Sequence, residues 1–133
     1  MHSKEMIDLA FYRLDKAKID LNDAKKTLEL GMFDTAANRS YYAIFHSARA
    51  VLALDGQDYK KHSGVISNFQ KDYIKTGVFD KVMSGIIKSA FDMRIDSDYE
   101  DFYVVPKEDV IRQVEEAEYF VCKVEEYLVD KTK

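Results

Sequence analysis

Apolar residues recur along this chain at intervals of three and four. Ile7, Ala10, Leu14, Ala17, Leu21, Ala24 and Leu28 keep that spacing without a break, which predicts a long first helix with one narrow apolar seam, ended by Gly31. A second segment opens at Asp34, a suitable N-cap, and carries Ala37, Tyr41, Ile44, Ala48 and Leu52 before Gly56 stops it. A polar connection follows, "QDYKKHSG". Val65, Ile66, Phe69, Tyr73 and Ile74 then share a face in a short third helix, which breaks at Lys75–Gly77. Phe79, Met83, Ile86, Ala90 and Met93 mark a fourth helix ending at Arg94. Pro106 suits the first turn of a fifth, with Val110, Val114, Ala117, Val121, Val124 and Leu128 at heptad-like spacing. Long seams at both termini and short connections predict an all-α, up-and-down antiparallel bundle of about five helices.

Phe11, Tyr12, Tyr42, Phe120 and Tyr127 fall beside the seams. They add apolar width beyond what one small bundle is expected to cover, and a homodimer is the economical outlet.

The composition supports a single domain over residues 1–133, since 133 residues bury about two-thirds of the unfolded surface in one core. One proline and five glycines are too few for a many-turned β fold. A net charge of −4 argues against gripping nucleic acid by overall electrostatics, although local basic patches stay open. No window approaches the roughly 18 apolar residues of a membrane span, and no signal-peptide pattern is present. A cytoplasmic location is the expectation. The single Cys122 lies in a helical pattern and reads as a partly buried, inert thiol.

Several chemistries are excluded by their missing motifs. There is no Walker loop, no Gly-rich dinucleotide fingerprint, no His-Glu-x-x-His, no cysteine pair and no Gly-x-Ser-x-Gly elbow. Glu-x-x-His is absent too, so a di-iron bundle is not expected. No metal and no cofactor is anticipated.

The three histidines and one arginine remain. His2 reads as a terminal bystander. His46 stands seven residues after Arg39, on the same helix face but about 10 Å away. It is either a general base with cationic neighbours or a structural residue beside Asn38 and Tyr42. His62 follows Lys60 and Lys61, the strongest local basic cluster, at a loop leading into a helix. That place favours an anion such as phosphate, or is a solvated loop. Arg94 precedes "IDSDYEDFY". It offers a planar cationic fork for phosphate or carboxylate with Asp96, Asp98, Tyr99 and Asp101 around it, or it pairs with Asp98 and only fixes the connection.

In that order, "GMFDTAANRSYYAIFHSARAVLAL", "KKHSGVISNFQKDYIKTG", "RIDSDYEDF" and "EEAEYFVCKVEEYL" resemble the HEPN family, specifically its small stand-alone bacterial and archaeal branch, from about residue 5 to 130. The resemblance implies a dimeric bundle of about five helices. Many such proteins are metal-independent endoribonucleases that use an arginine followed after four to six residues by a histidine. In that chemistry the histidine serves the ribose 2′-hydroxyl and the arginine the phosphate. Arg94 matches the arginine, but Tyr99, Glu100 and Asp101 occupy the histidine's possible places. Tyrosine, with a pKa of about 10, is a poor base at neutral pH. Arg39 and His46 fit the spacing only as text, within the second helix.

The resemblance therefore implies a dimeric binding or regulatory module paired with a minimal nucleotidyltransferase, as in toxin–antitoxin pairs, with ribonuclease activity weak or lost. In some pairs the partner modifies a tyrosine beside the motif, and Tyr99 is the candidate here, with Tyr103 second. The alternative is an active endoribonuclease with Arg94 as phosphate clamp and His46 or His62 as base. RNA or a nucleotide is then the ligand.

Overall fold

A computed structural model of the chain describes residues 2–99, 101 and 103–133, with the side chain of Tyr99 outside the description. Five α-helices follow in order: α1 (Lys4–Glu29), α2 (Phe33–Leu54), α3 (His62–Phe69), α4 (Lys81–Tyr99) and α5 (Lys107–Lys131). A π-helical turn, Gln70–Ile74, extends α3. No strand occurs among the described residues.

Local signals explain the ends. Ser3 caps α1 by accepting a hydrogen bond from the Met6 amide at 3.1 Å. Gly31 ends α1 and Gly56 ends α2, each at φ +75°, a left-handed conformation that glycine takes without steric strain. At both, the glycine amide and the next amide bond back into the last helical turn, Gly31 and Met32 to Leu28 and Thr27, Gly56 and Gln57 to Ala53 and Leu52.

Some boundaries differ from the sequence reading. The N-cap of α2 is Met32, with no side-chain cap bond, and Asp34 lies inside the first turn, where its charge still complements the helix dipole. Pro106 is the extended N-cap of α5 rather than a residue of its first turn. Helix α4 continues through Asp96, Ser97 and Asp98 to Tyr99, so Arg94 stands within the helix and not at its end.

Helix α2 is the centre of the bundle, packing against α1 along its length and against α5, α4 and α3. Its small residues Ala36, Ala43, Ala48 and Ala50, all fully buried, let the neighbouring helices approach closely. Ser40 and Ser47 are buried as well, and each returns its hydroxyl to a carbonyl one turn back, of Ala36 and Ala43, at 2.7 and 2.8 Å. Gln113 of α5 donates to the Ala37 carbonyl at 3.0 Å and to Ser40 Oγ at 2.9 Å, fixing the two helices in register. The main core gathers Leu14, Tyr41, Ile44, Phe69, Met83, Phe120 and Leu128. A smaller one around Met93, Val105, Val110 and Val114 closes the end where α4 meets α5.

The residues beside the seams do not behave alike. Phe120 is fully buried, and Phe11, Tyr42 and Tyr127 pack against the core, so α5 in particular buries a broader face than its seam suggests. Tyr12 is exposed, as are Leu9 and Ile19 on the same side of α1. Cys122 is exposed, not partly buried, because it faces away from the Val121 and Val124 side of α5. His2 is no loose bystander, since its Nδ1 lies 2.8 Å from the Leu54 carbonyl. No helix among the described residues is long and apolar enough to cross a membrane.

Candidate functional site

Arg39, Tyr42, His46 and Arg49 are spaced three, four and three apart on α2 and therefore share one stripe. Beside it runs a second stripe, Asn38, Tyr41 and Phe45. Helix α4 brings Arg94 and Asp98 to this surface, α3 brings His62 as its first residue, and α1 brings Asp20 from the other side.

The half-buried ring of Tyr42 is the common neighbour. The Cζ of Arg39 lies 5.3 Å from its centre and that of Arg94 5.9 Å, both within cation–π range. The His46 ring centre is 5.6 Å away and that of His62 5.9 Å, the latter edge to face. Tyr41, buried, carries the tighter link. Arg94 Cζ is 5.4 Å from its ring, its Oη is 2.7 Å from His62 Nδ1, and the two rings lie nearly parallel. Phe45 supports His62 from its other neighbour stripe, with ring centres 4.0 Å apart.

The electrostatics keep both imidazoles neutral near pH 7. Burial, then the charges of Arg94 and Arg49, lowers the His62 pKa. Burial pushes His46 down to about 4, reinforced by Lys16, Arg49, Arg13 and Arg39. The 3.7 Å approach of His46 Nε2 to Asp20 Oδ2 is therefore not an ion pair at neutral pH. Asp20 is itself raised by burial, with Arg39 opposing, and its other oxygen accepts from Arg39 Nη1 at 3.0 Å. Burial drives the Tyr41 phenol well above its ordinary range, so it stays protonated. Arg94 stands over the Tyr41 ring as a positive charge, which opposes part of this rise. His62 Nδ1 is the acceptor within reach of this protonated phenol, and when it accepts, the proton of neutral His62 is on Nε2. Such an N–H can donate a hydrogen bond to a phosphate oxygen, while the lone pair that would act as a base is taken by the phenol.

A cavity of about 240 Å³ opens on the other side of Tyr41, with Asn38, Arg94, Asp98 and Tyr103 on its wall. Arg94 pairs with Asp98 at 3.6 Å, one helical turn on. Its guanidinium thus faces the cavity while touching both tyrosines.

The structure brings together Arg94, Asp98, Arg39, His46 and His62. Arg39 and His46 do share a face, and Asp20 bridges them from α1. Lys60 and Lys61 are exposed in the connection before α3 and form no ion pair among the described residues. For Tyr99 only its place as the last residue of α4 is described. Tyr41 and Tyr42 had drawn attention only as core and flanking residues. Their signal was the stripe spacing with Arg39 and His46, which is readable in "NRSYYAIFHSAR". Asp20, Arg13 and Asp58 gave no such local signal. Among the described residues, no group of three or more His, Cys, Asp or Glu is placed to hold a metal ion.

Comparison with known proteins points one way. The chain is 32% identical to a UPF0332 protein of Thermotoga maritima over 98% of its own length and 97% of that protein. It is 37% identical to a UPF0332 protein of Archaeoglobus fulgidus, covering 84% of this chain and 88% of the relative. A protein of Methanocaldococcus jannaschii named "Putative toxin" is 30% identical, with 89% and 80% covered. The HEPN domain model matches residues 10–127, nearly the whole helical bundle, and the chain belongs to the HEPN family.

Proposed function

We propose that this HEPN protein is a dimeric binding and regulatory module that works with a minimal nucleotidyltransferase in a toxin–antitoxin-type pair, its own ribonuclease activity weak or lost. The observation that carries this reading is the state of Arg94. Its guanidinium pairs with the Asp98 carboxylate and lies over the Tyr41 ring, and the positions four to six residues beyond its neighbour hold no histidine. An arginine so engaged holds a shape and a charge, and no histidine follows it in the chain at the spacing that strand cleavage uses. The toxin naming of relatives supports the class. Exposed Leu9, Tyr12 and Ile19 on α1 supply an apolar strip of the kind a second copy covers.

Incubation with a minimal nucleotidyltransferase and ATP, read by mass spectrometry, tests the pairing. A nucleotidyl adduct on Tyr99 or Tyr103 is the expected product. No adduct with any such enzyme, together with no stable complex, sinks the pairing.

One observation favours the second reading, an active endoribonuclease. His62, not His46, is the histidine joined to Arg94, through Tyr41. His46 sits across Tyr42 with Asp20 and is held neutral by burial, with the surrounding cations adding to it. Cleavage of RNA by purified protein that is abolished by both Arg94→Ala and His62→Ala would establish this reading over the first.

A further inference from the structure

A second group of basic side chains lies on the α1 side of α2. Arg13 has only 9% of its side chain exposed, a rare condition for arginine without a partner. Its Nη1 donates to the Arg49 carbonyl at 3.3 Å and its Nη2 to Asp58 Oδ1 at 3.2 Å. Arg49 Nη2 donates to the same Oδ1 at 3.1 Å. One carboxylate oxygen thus serves two guanidinium groups, while Arg49 Nε is buried with no hydrogen-bond partner. A buried donor left unmet is costly and calls for an explanation.

The charges do not balance either. Lys16, Arg13, Arg39 and Arg49 surround His46, and the carboxylates in contact with these cations are Asp20 and Asp58. With Asp23, which also acts on Asp20, one positive charge stands in excess, in a chain whose net charge is −4. Asp58 differs from the arginines in one respect. Its side chain is 62% exposed and belongs to the connection between α2 and α3, so it can swing away without disturbing the core. The arginines are anchored, Arg13 by the Arg49 carbonyl and Arg49 with its Cζ 6.0 Å from the Phe45 ring.

We propose that Arg13 and Arg49 form a binding site for a phosphate group, in which Asp58 holds the ligand's place until a phosphate displaces it. A phosphate has enough acceptor oxygens to take Arg13 Nη2, Arg49 Nη2 and, once Asp58 has moved aside, the unpaired Arg49 Nε together, where Asp58 offers one oxygen to two of them. Guanidinium forks suit that geometry. The site is independent of the Arg94 reading.

Titration of the full chain with inorganic phosphate, a mononucleotide and a short single-stranded RNA, followed by NMR and calorimetry, tests this. Arg13 is too buried for a clean variant, so Asp58→Asn and Arg49→Gln are used, with melting curves to show that each is folded. Asp58→Asn removes the competing charge, and phosphate binding tightens about threefold or more. Arg49→Gln weakens it about tenfold or more. Lys88→Gln, at an exposed position of α4 outside both sites, leaves it unchanged, and the adduct on Tyr99 or Tyr103 is read separately, so failure here is distinct from failure of the proposed function. RNA displaced by inorganic phosphate assigns the phosphate to a nucleic-acid backbone, and tighter binding of the mononucleotide assigns it to a free nucleotide. Absence of binding to wild type and Asp58→Asn alike, weaker binding by Asp58→Asn, or unchanged affinity in Arg49→Gln overturns the proposal.

Discussion

Tyr41 and His62 are joined twice, by a 2.7 Å hydrogen bond from phenol to Nδ1 and by rings 5.8 Å apart and only 14° from parallel. The bond ties the start of α3 to the middle of α2 and, because Arg94 rests on the same phenol, connects three helices through one side chain. An O–H donated to Nδ1 stabilises the neutral imidazole. Tyr41→Phe removes that support, and the NMR titration midpoint of His62 should rise. A fall instead would mean that Nδ1 carries the proton and donates to the phenol. The lost bond should cost about 1 kcal/mol in chemical denaturation.

His46 makes stability depend on pH. Its folded pKa of about 4 lies below the unfolded value, so between those values the unfolded chain binds a proton that the native chain does not. Stability is therefore fully present above the unfolded pKa and lost as pH falls. Between pH 7 and pH 5 the loss should be about 2 kcal/mol, since each unit is worth about 1.4 kcal/mol. The lowered His62 adds in the same direction, whereas Asp20, raised by burial, works the opposite way at more acid pH. Denaturation curves at several pH values should show the slope, and His46→Gln should flatten it. An unchanged slope in that variant would remove His46 as the source.

Arg94 separates function from stability. Asp98 is about half exposed, and an ion pair of this kind at i, i+4 contributes only about 0.3–0.5 kcal/mol. Arg94→Ala should therefore lower stability by less than about 1 kcal/mol. RNA binding should fall about tenfold if the guanidinium meets a phosphate. A lowered melting temperature with RNA and partner binding intact would make Arg94 a purely structural residue.

The bundle was legible because each helix carries its own evidence, a seam of period three to four that needs no knowledge of the neighbours. Boundaries were less so. The run "RIDSDY" is polar and acidic, a weak helical signal, yet α4 continues through it to Tyr99. Burial beyond the seam was also hidden, and Phe120 shows why. Whether a flanking aromatic is covered depends on where Phe69 arrives, which is 5.5 Å away in space and distant in sequence. The same holds for the site. Arg39 and His46 could be placed on one face from spacing alone, but the meeting of Arg94, Tyr41 and His62 depends on how α3 and α4 dock on α2. The search for a histidine shortly after Arg94 therefore looked along the chain, while the histidine joined to it precedes it and reaches it across the bundle.

Two of the left-handed glycines, those that end α1 and α2, give a graded test of the helix ends. Gly31 and Gly56 share φ +75°, so alanine at either meets the same backbone strain, about 1 kcal/mol or somewhat more. Their surroundings differ. A Cβ at Gly31 would meet nothing within 4 Å, whereas at Gly56 it would stand 2.7 Å from the Met6 Cε. That methyl is the end of a flexible side chain and can move, but it then gives up its packing against the end of α2. Gly56→Ala should therefore be the more destabilising of the two, by a few tenths of a kcal/mol to about 1 kcal/mol. Combining it with Met6→Ala should remove the extra cost, because the clash is gone, and leave a deficit relative to Met6→Ala alone that matches Gly31→Ala. If Gly56→Ala stays equally worse in that background, the difference lies in the α2 backbone and its bonds to Ala53 and Leu52, not in Met6.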